Sequence, residues 1–199
     1  MNGIQADTKG DANGDRVNDF LLGSNGVSFL IFGHSDWTTQ NWTNLDLSSL
    51  KGDSTGVKIL KSDSSRLNTF PLGFLGDING DHFDEVGVSS TEGTTALFLV
   101  FGRANGWPNK FTTDKYDGVN GLVISLEVRS TLNYFSAGDM NNDGLSDIFI
   151  ASPTVSSLTP SVWRAYVIFG HRGAWRAANP VSSLNGQNGF AINGEWDVL

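Results

Sequence analysis

An acidic nine-residue segment returns three times at near-constant spacing, and this constrains the fold more than any other feature of the chain. The copies are DANGDRVND (Asp11 to Asp19), DINGDHFDE (Asp77 to Glu85) and DMNNDGLSD (Asp139 to Asp147). Their first residues are 66 and 62 positions apart, and a period of that length signals a repeat architecture. Other elements keep the same phase. Glycine-ended stretches precede the loops: PLGFLG (71–76), NYFSAG (133–138) and the less apolar IQADTKG (4–10). FLLG, VGVS and IFIAS follow them, from Phe20, Val86 and Ile148. Each unit then carries a β-rich run closing on Phe-Gly, FLIFG (29–33), LFLVFG (97–102) and AYVIFG (165–170). A last apolar stretch completes it: GVKIL (56–60), GLVISL (121–126) and GFAING (189–194).

These runs are short, β-rich and separated by turn residues, so each unit reads as four strands with the acidic loop between the first and second. One four-stranded sheet cannot cover both of its own faces, so the units must stack on one another. The expected fold is all-β: a β-propeller of four-stranded antiparallel blades, with blades over residues 1–62, 63–127 and 128–199. Propellers usually close with roughly four to eight blades. Three therefore form a partial propeller, or half of a ring that another chain completes.

Within each loop, positions 1, 3, 5 and 9 carry oxygen-bearing side chains. Position 7 is apolar, which leaves Val17, Phe83 or Leu145 to offer a backbone carbonyl. A hard cation such as calcium takes about six to eight oxygens at roughly 2.3–2.6 Å, and a tight acidic turn supplies oxygens of this kind. Gly14, Gly80 and Asn142 at position 4 tolerate the left-handed backbone such a turn requires. The loops are not EF-hands. Position 6 holds Arg16, His82 and Gly144, and position 12 holds Leu22, Val88 and Ile150 where a bidentate glutamate belongs. Without that glutamate the expected affinity is modest. Glu85 stands where the other loops have aspartate, so the second site is expected to be the looser one.

The net charge of −8 and the lack of a basic stripe exclude nucleic acid as a partner. Nine of the 21 acidic residues lie in the three loops, and three divalent ions would bring the charge from −8 to −2. Acidity thus reads as metal sites. The absence of cysteine excludes disulfides and thiolate chemistry. No signal-peptide pattern and no apolar run of membrane-spanning length is visible, so no membrane insertion is expected. The sequon Asn41-Trp42-Thr43 carries little weight.

The order strand-Gly-Asp-x-Asn-Gly-Asp, apolar strand, Val/Ile-Phe-Gly resembles the FG-GAP repeat of integrin α-subunit propellers and their bacterial and protist relatives. The segments LDLSSLKGDSTGVKIL (45–60) and VSSLNGQNGFAINGE (181–195) are similar to the final-strand region of the bacterial-type repeats. The resemblance covers nearly the whole chain. It implies structural calcium, up to three ions, on the side away from the ligand-binding loops. The implied ligands are Asp11, Asn13, Asp15, the Val17 carbonyl and Asp19 in the first loop. In the second they are Asp77, Asn79, Asp81, the Phe83 carbonyl and Glu85. In the third they are Asp139, Asn141, Asp143, the Leu145 carbonyl and Asp147.

Trp37, Trp107 and Trp175 follow Phe-Gly in phase. Packing at the repeat junctions is the favoured reading for them; a sugar-binding platform is the other. Trp42, Trp163 and Trp196 are unphased. His34 and His171 follow Phe-Gly directly, where the middle unit has Arg103, and they read as exposed turn residues, as does His82. No zinc triad, GxSxG elbow, P-loop or HExxH motif occurs, so no catalytic residue is assigned and no enzyme activity is expected. The expected role is a calcium-binding scaffold for adhesion or assembly, in an extracellular, cell-surface or calcium-rich lumenal setting. Its expected partner is a protein, either a second copy or the further blades of a larger assembly. The alternative is an enzyme-associated or carbohydrate-binding module with a glycan as ligand.

Overall fold

The computed structural model describes residues 5–24, 27–38, 44–60, 71–90, 96–126, 133–152 and 163–194. The expected unit boundaries, the sequon, Trp42 and Trp196 lie outside these residues. The chain is all-β, in three mostly antiparallel sheets. In the first repeat, β1 (Gln5–Gly10), β2 (Asp19–Ser24), β3 (Val27–Ile31) and β4 (Gly56–Leu60) pair in sequence order. The second repeat contains β5 (Pro71–Phe74), β6 (Val86–Ser90), β7 (Ala96–Val100), β8 (Lys110–Thr112) and β9 (Gly121–Ser125). The third contains β10 (Asn133–Gly138), β11 (Asp147–Ser152), β12 (Arg164–Ile168), β13 (Ala178–Pro180) and β14 (Gly189–Asn193). The four main strands of each repeat form an antiparallel meander. Each acidic loop joins the first strand to the second. β1 pairs with β2 over most of its length despite its polar composition.

The sheets differ from the expectation in one respect. Two of them have a fifth strand, donated by the following repeat. From the connection between its third and fourth strands, the second repeat sends β8 across to pair in parallel with β4. The third repeat sends β13 to pair with β9 in the same way. A three-residue strand has no alternation to read, and parallel pairing needs no hairpin signal, so neither strand announces itself in the sequence.

The cores lie between sheets. Leu21, Leu30 and Val57 sit opposite one another on one face of the first sheet, all buried, because side chains two apart on a strand share a face. They pack with Val86, Val88, Val100, Phe111 and Tyr116 of the second repeat. The opposite face of the second sheet, with Leu97, Leu99, Leu122 and Ile124, meets Ile148, Ile150, Tyr166 and Ile168. Among the described residues these are the two large apolar clusters, and neither joins the first sheet to the third. No helix among them is long and apolar enough to cross a membrane.

Candidate metal loops

All three loops adopt one hydrogen-bonded turn. In the first, the Asp11 carboxylate accepts the N–H groups of Asp15 (3.0 Å) and Arg16 (2.8 Å), and Asn13 Oδ1 also accepts from Asp15 N (3.0 Å). Asp15 Oδ1 accepts from Val17 N at 2.8 Å, which fixes position 7. The second loop repeats the pattern, with Asp77 accepting from Asp81 and His82, Asn79 from Asp81, and Asp81 from Phe83. The third does the same, with Asp139 accepting from Asp143 and Gly144, Asn141 from Asp143, and Asp143 from Leu145. Position 4 has positive φ in each: Gly14 at 74°, Gly80 at 81° and Asn142 at 60°. Position 6 does too, with Arg16 at 67°, His82 at 73° and Gly144 at 85°. The third loop therefore accommodates both left-handed positions with residues suited to them, whereas the first two hold a long side chain at an uncommon φ.

Position 9 explains why every unit needs Phe-Gly. Asp19, Glu85 and Asp147 are fully buried. Asp19 accepts from Ala12 N at 2.8 Å and from Gly33 N at 2.9 Å, so it clamps the loop to the glycine of Phe-Gly. Asp147 makes the same pair of bonds with Met140 N (2.7 Å) and Gly170 N (3.0 Å). Glu85 bonds Ile78 N at 2.7 Å but reaches Gly102 N only at 3.4 Å, and its second oxygen also takes Asn79 Nδ2 at 3.3 Å. The extra methylene thus slackens the clamp on one side. The glycine itself is required by close approach: a Cβ on Gly33 would come within 2.3 Å of the Asn18 carbonyl oxygen, and one on Gly170 within 2.5 Å of that of Ser146.

The loops also bond to one another. The Asp11 and Ala12 carbonyls accept the N–H groups of Asp84 and Arg103 in the second repeat (3.2 and 2.8 Å). One repeat on, the Asp77 and Ile78 carbonyls accept from Ser146 and His171 (2.8 and 2.9 Å). Asp84 adds a bond from Asp11 N at 2.8 Å. Residue 8 of the loop is therefore a junction residue. Its side chain varies (Asn18, Asp84, Ser146) and the bond that recurs is a backbone one, so the sequence carries no signal for it.

Two of the three phased tryptophans belong to the junctions, while Trp37 meets Phe20 of its own repeat edge to face at 5.6 Å. The Trp107 ring meets Phe32 edge to face at 5.3 Å, and Trp175 meets Phe101 at 6.5 Å, each covering the Phe-Gly of the preceding repeat. Both rings are buried. The residue after Phe-Gly lies against the tryptophan of its own unit: Arg103 over Trp107 at 5.1 Å, and His171 stacked on Trp175 at 3.9 Å. His171 and His82 are exposed, and His34 is half-buried.

The donor set of each loop is all oxygen, which suits a hard cation. Among the described residues, no three acidic or histidine side chains form a metal-holding group by themselves. The proposed sets accordingly count asparagine and backbone oxygens beside the carboxylates. Compared with protein-family models and with curated proteins, the chain matches none.

Burial pushes the Asp19 carboxyl up to about 7, against the bonds from Gly33 and Ala12, with Asp11 and Asp15 adding to the rise. Burial likewise pushes Glu85 up to about 9, helped by Asp81 and Asp77. Both values exceed those of the same groups in an unfolded chain, so the folded state keeps protons that the unfolded state has lost. The stability this confers is complete below the unfolded values of 3.8 and 4.5, and is lost as pH rises through about 7 and about 9. In calcium-free buffer the melting temperature should fall as pH rises from 5 to 9. Glu85→Gln should flatten the upper part of that slope; an unchanged slope in the variant would place its cause elsewhere.

Proposed function

We propose that the chain is a calcium-stabilised, non-catalytic scaffold of the FG-GAP propeller kind, serving adhesion or assembly. One observation carries this reading. In three successive repeats the same acidic turn is clamped by its ninth residue to the Phe-Gly of its own unit. In the first two, its first two carbonyls are also bonded to the next unit. A cation held by the loop would therefore tighten both a unit and a junction.

The residues that would hold it are positions 1, 3, 5 and 9 with the carbonyl of position 7, in all three loops. Bound calcium would supply positive charge to the three carboxylates of each loop, among them Asp19 of the first and Glu85 of the second, which carry the cost of burial noted above. Modest sites fill at the millimolar calcium found outside cells and in calcium-rich lumenal compartments, which is the setting proposed here. Burial of Trp107 and Trp175 removes two of the three rings from any sugar platform and favours the scaffold over the lectin-like reading.

An ion that binds the folded state alone stabilises it by about 2.7 kcal/mol per site at a hundredfold excess over Kd. Chelator should therefore lower the melting temperature by several degrees, and added calcium should restore it. An unchanged melt in metal-free buffer, with no calcium found by elemental analysis of the protein, would end this proposal.

A further inference from the structure

The chain builds one junction twice, between the first and second repeats and between the second and third, and the outer faces of the third and first repeats carry the corresponding positions. On the far face of each repeat, corresponding positions have different fates. Loop position 2 is buried as Ala12 and Ile78 under the following repeat, but Met140 is 54% exposed. The second residue of the fourth main strand is buried as Val57 and Leu122, but Phe190 is 40% exposed. A Cβ on Gly52 or Gly118 would strike the backbone carbonyl of the next repeat's tryptophan, whereas one on Gly186 would meet nothing within 4 Å. Gly76 faces Ser146 of the next repeat in the same way, and its counterpart Gly138 is open. β4 and β9 each carry a parallel fifth strand from the next repeat, whereas among the described residues the third sheet has four strands.

The first repeat shows the complementary half. Phe20, Leu22 and Trp37 are half-buried, while their counterparts Val86, Val88 and Trp107, and Ile148, Ile150 and Trp175, are buried. β8 and β13 each run straight into a short 3₁₀ turn, Thr113–Lys115 and Val181–Ser183. Residues 44–46 precede the matching turn, Leu47–Ser49, with Asp46 extended (φ −82°, ψ 108°), and belong to no sheet.

The geometry points to a head-to-tail contact, in which the third repeat of one copy takes the first repeat of a second copy in the register of the internal junctions. It deepens the scaffold proposal and rests on it. By that register, Asn44, Leu45 and Asp46 add in parallel beside Ala191, Ile192 and Asn193, as Lys110, Phe111 and Thr112 do beside Lys58, Ile59 and Leu60. The Asp139 and Met140 carbonyls take the N–H groups of Asn18 and His34. Trp37 covers Phe169, and Leu45 enters where Phe111 sits in the internal junction. Such a contact is heterologous: it closes a ring if the rotation permits and otherwise extends an array.

The whole chain, in calcium, is to be examined by light scattering coupled to size exclusion across the micromolar range. The expected mass is that of two chains or a ladder of multiples. Phe190→Glu breaks the end face and Leu45→Glu the starting face, so each variant alone should run at the mass of one chain. Mixed, they should form a one-to-one pair through the two intact faces. Met140→Glu serves as a second end-face variant should Phe190→Glu lose its cooperative melt. A folded wild-type chain that stays at the mass of one copy overturns the proposal. So does association that either variant leaves intact, or a mixture that fails to pair. A chelator melt on the same samples separates the two readings: a calcium-responsive monomer sinks this contact and leaves the calcium scaffold standing, whereas a chain that pairs but ignores chelator does the reverse.

Discussion

Gly170→Ala should destabilise the protein by about 3 kcal/mol, near the upper end of the usual cost of forcing a methyl into filled space. For a chain of this length that is a drop in melting temperature of roughly 6–12 °C. The new Cβ would lie 2.5 Å from the Ser146 carbonyl oxygen and 2.9 Å from that of Ile78. One belongs to its own repeat's loop and the other to the preceding repeat's, and neither can retreat as a flexible side-chain end would. Gly106→Ala is the control. There φ is +80° and nothing lies within 4 Å, so only the cost of a left-handed residue applies, about 1–2 kcal/mol. Thermal melts of the two variants in the same calcium buffer decide the matter. If Gly170→Ala costs no more than Gly106→Ala, the glycine of Phe-Gly is not there for close approach.

The fold was legible where a repeat made weak signals add. A single run such as VGVS is ambiguous, but three such runs in phase after three acidic loops place β2, β6 and β11 at the expected positions. The left-handed residues at position 4 were readable because glycine and asparagine stand there. Position 6 was not, since Arg16 and His82 give no hint of positive φ; only the third loop's Gly144 does. β8 and β13 are not legible because each is three residues long and its strand partner lies in the preceding repeat, so even the buried Phe111 of β8 stands alone, with no alternating pattern around it. For the candidate site, composition and spacing picked out the turn-forming oxygens. What they did not convey is that the ninth residue is buried and clamps a glycine 14 or more positions further on, because that depends on where the third strand ends.

The ninth residue carries the other large expected effect. Asp19→Ala would remove both acceptors from the N–H groups of Ala12 and Gly33, which are buried. A buried donor left without a partner costs about 1–3 kcal/mol, so the pair should cost roughly 2–6 kcal/mol before any loss of calcium is counted. Asp19→Asn keeps one acceptor oxygen of similar shape but turns an NH2 group toward the other donor, and it should recover about half of that loss. Measured with chelator present, these differences report the clamp alone. Measured in calcium, a further gap between wild type and Asp19→Asn should open, because the amide supplies no charge to the ion. The comparison separates two roles that one carboxylate combines. Equal stability of Asp19→Ala and Asp19→Asn in chelator would show that the two amides do not depend on residue 19. An identical gap with and without calcium would remove Asp19 from the ligand set while leaving the clamp intact.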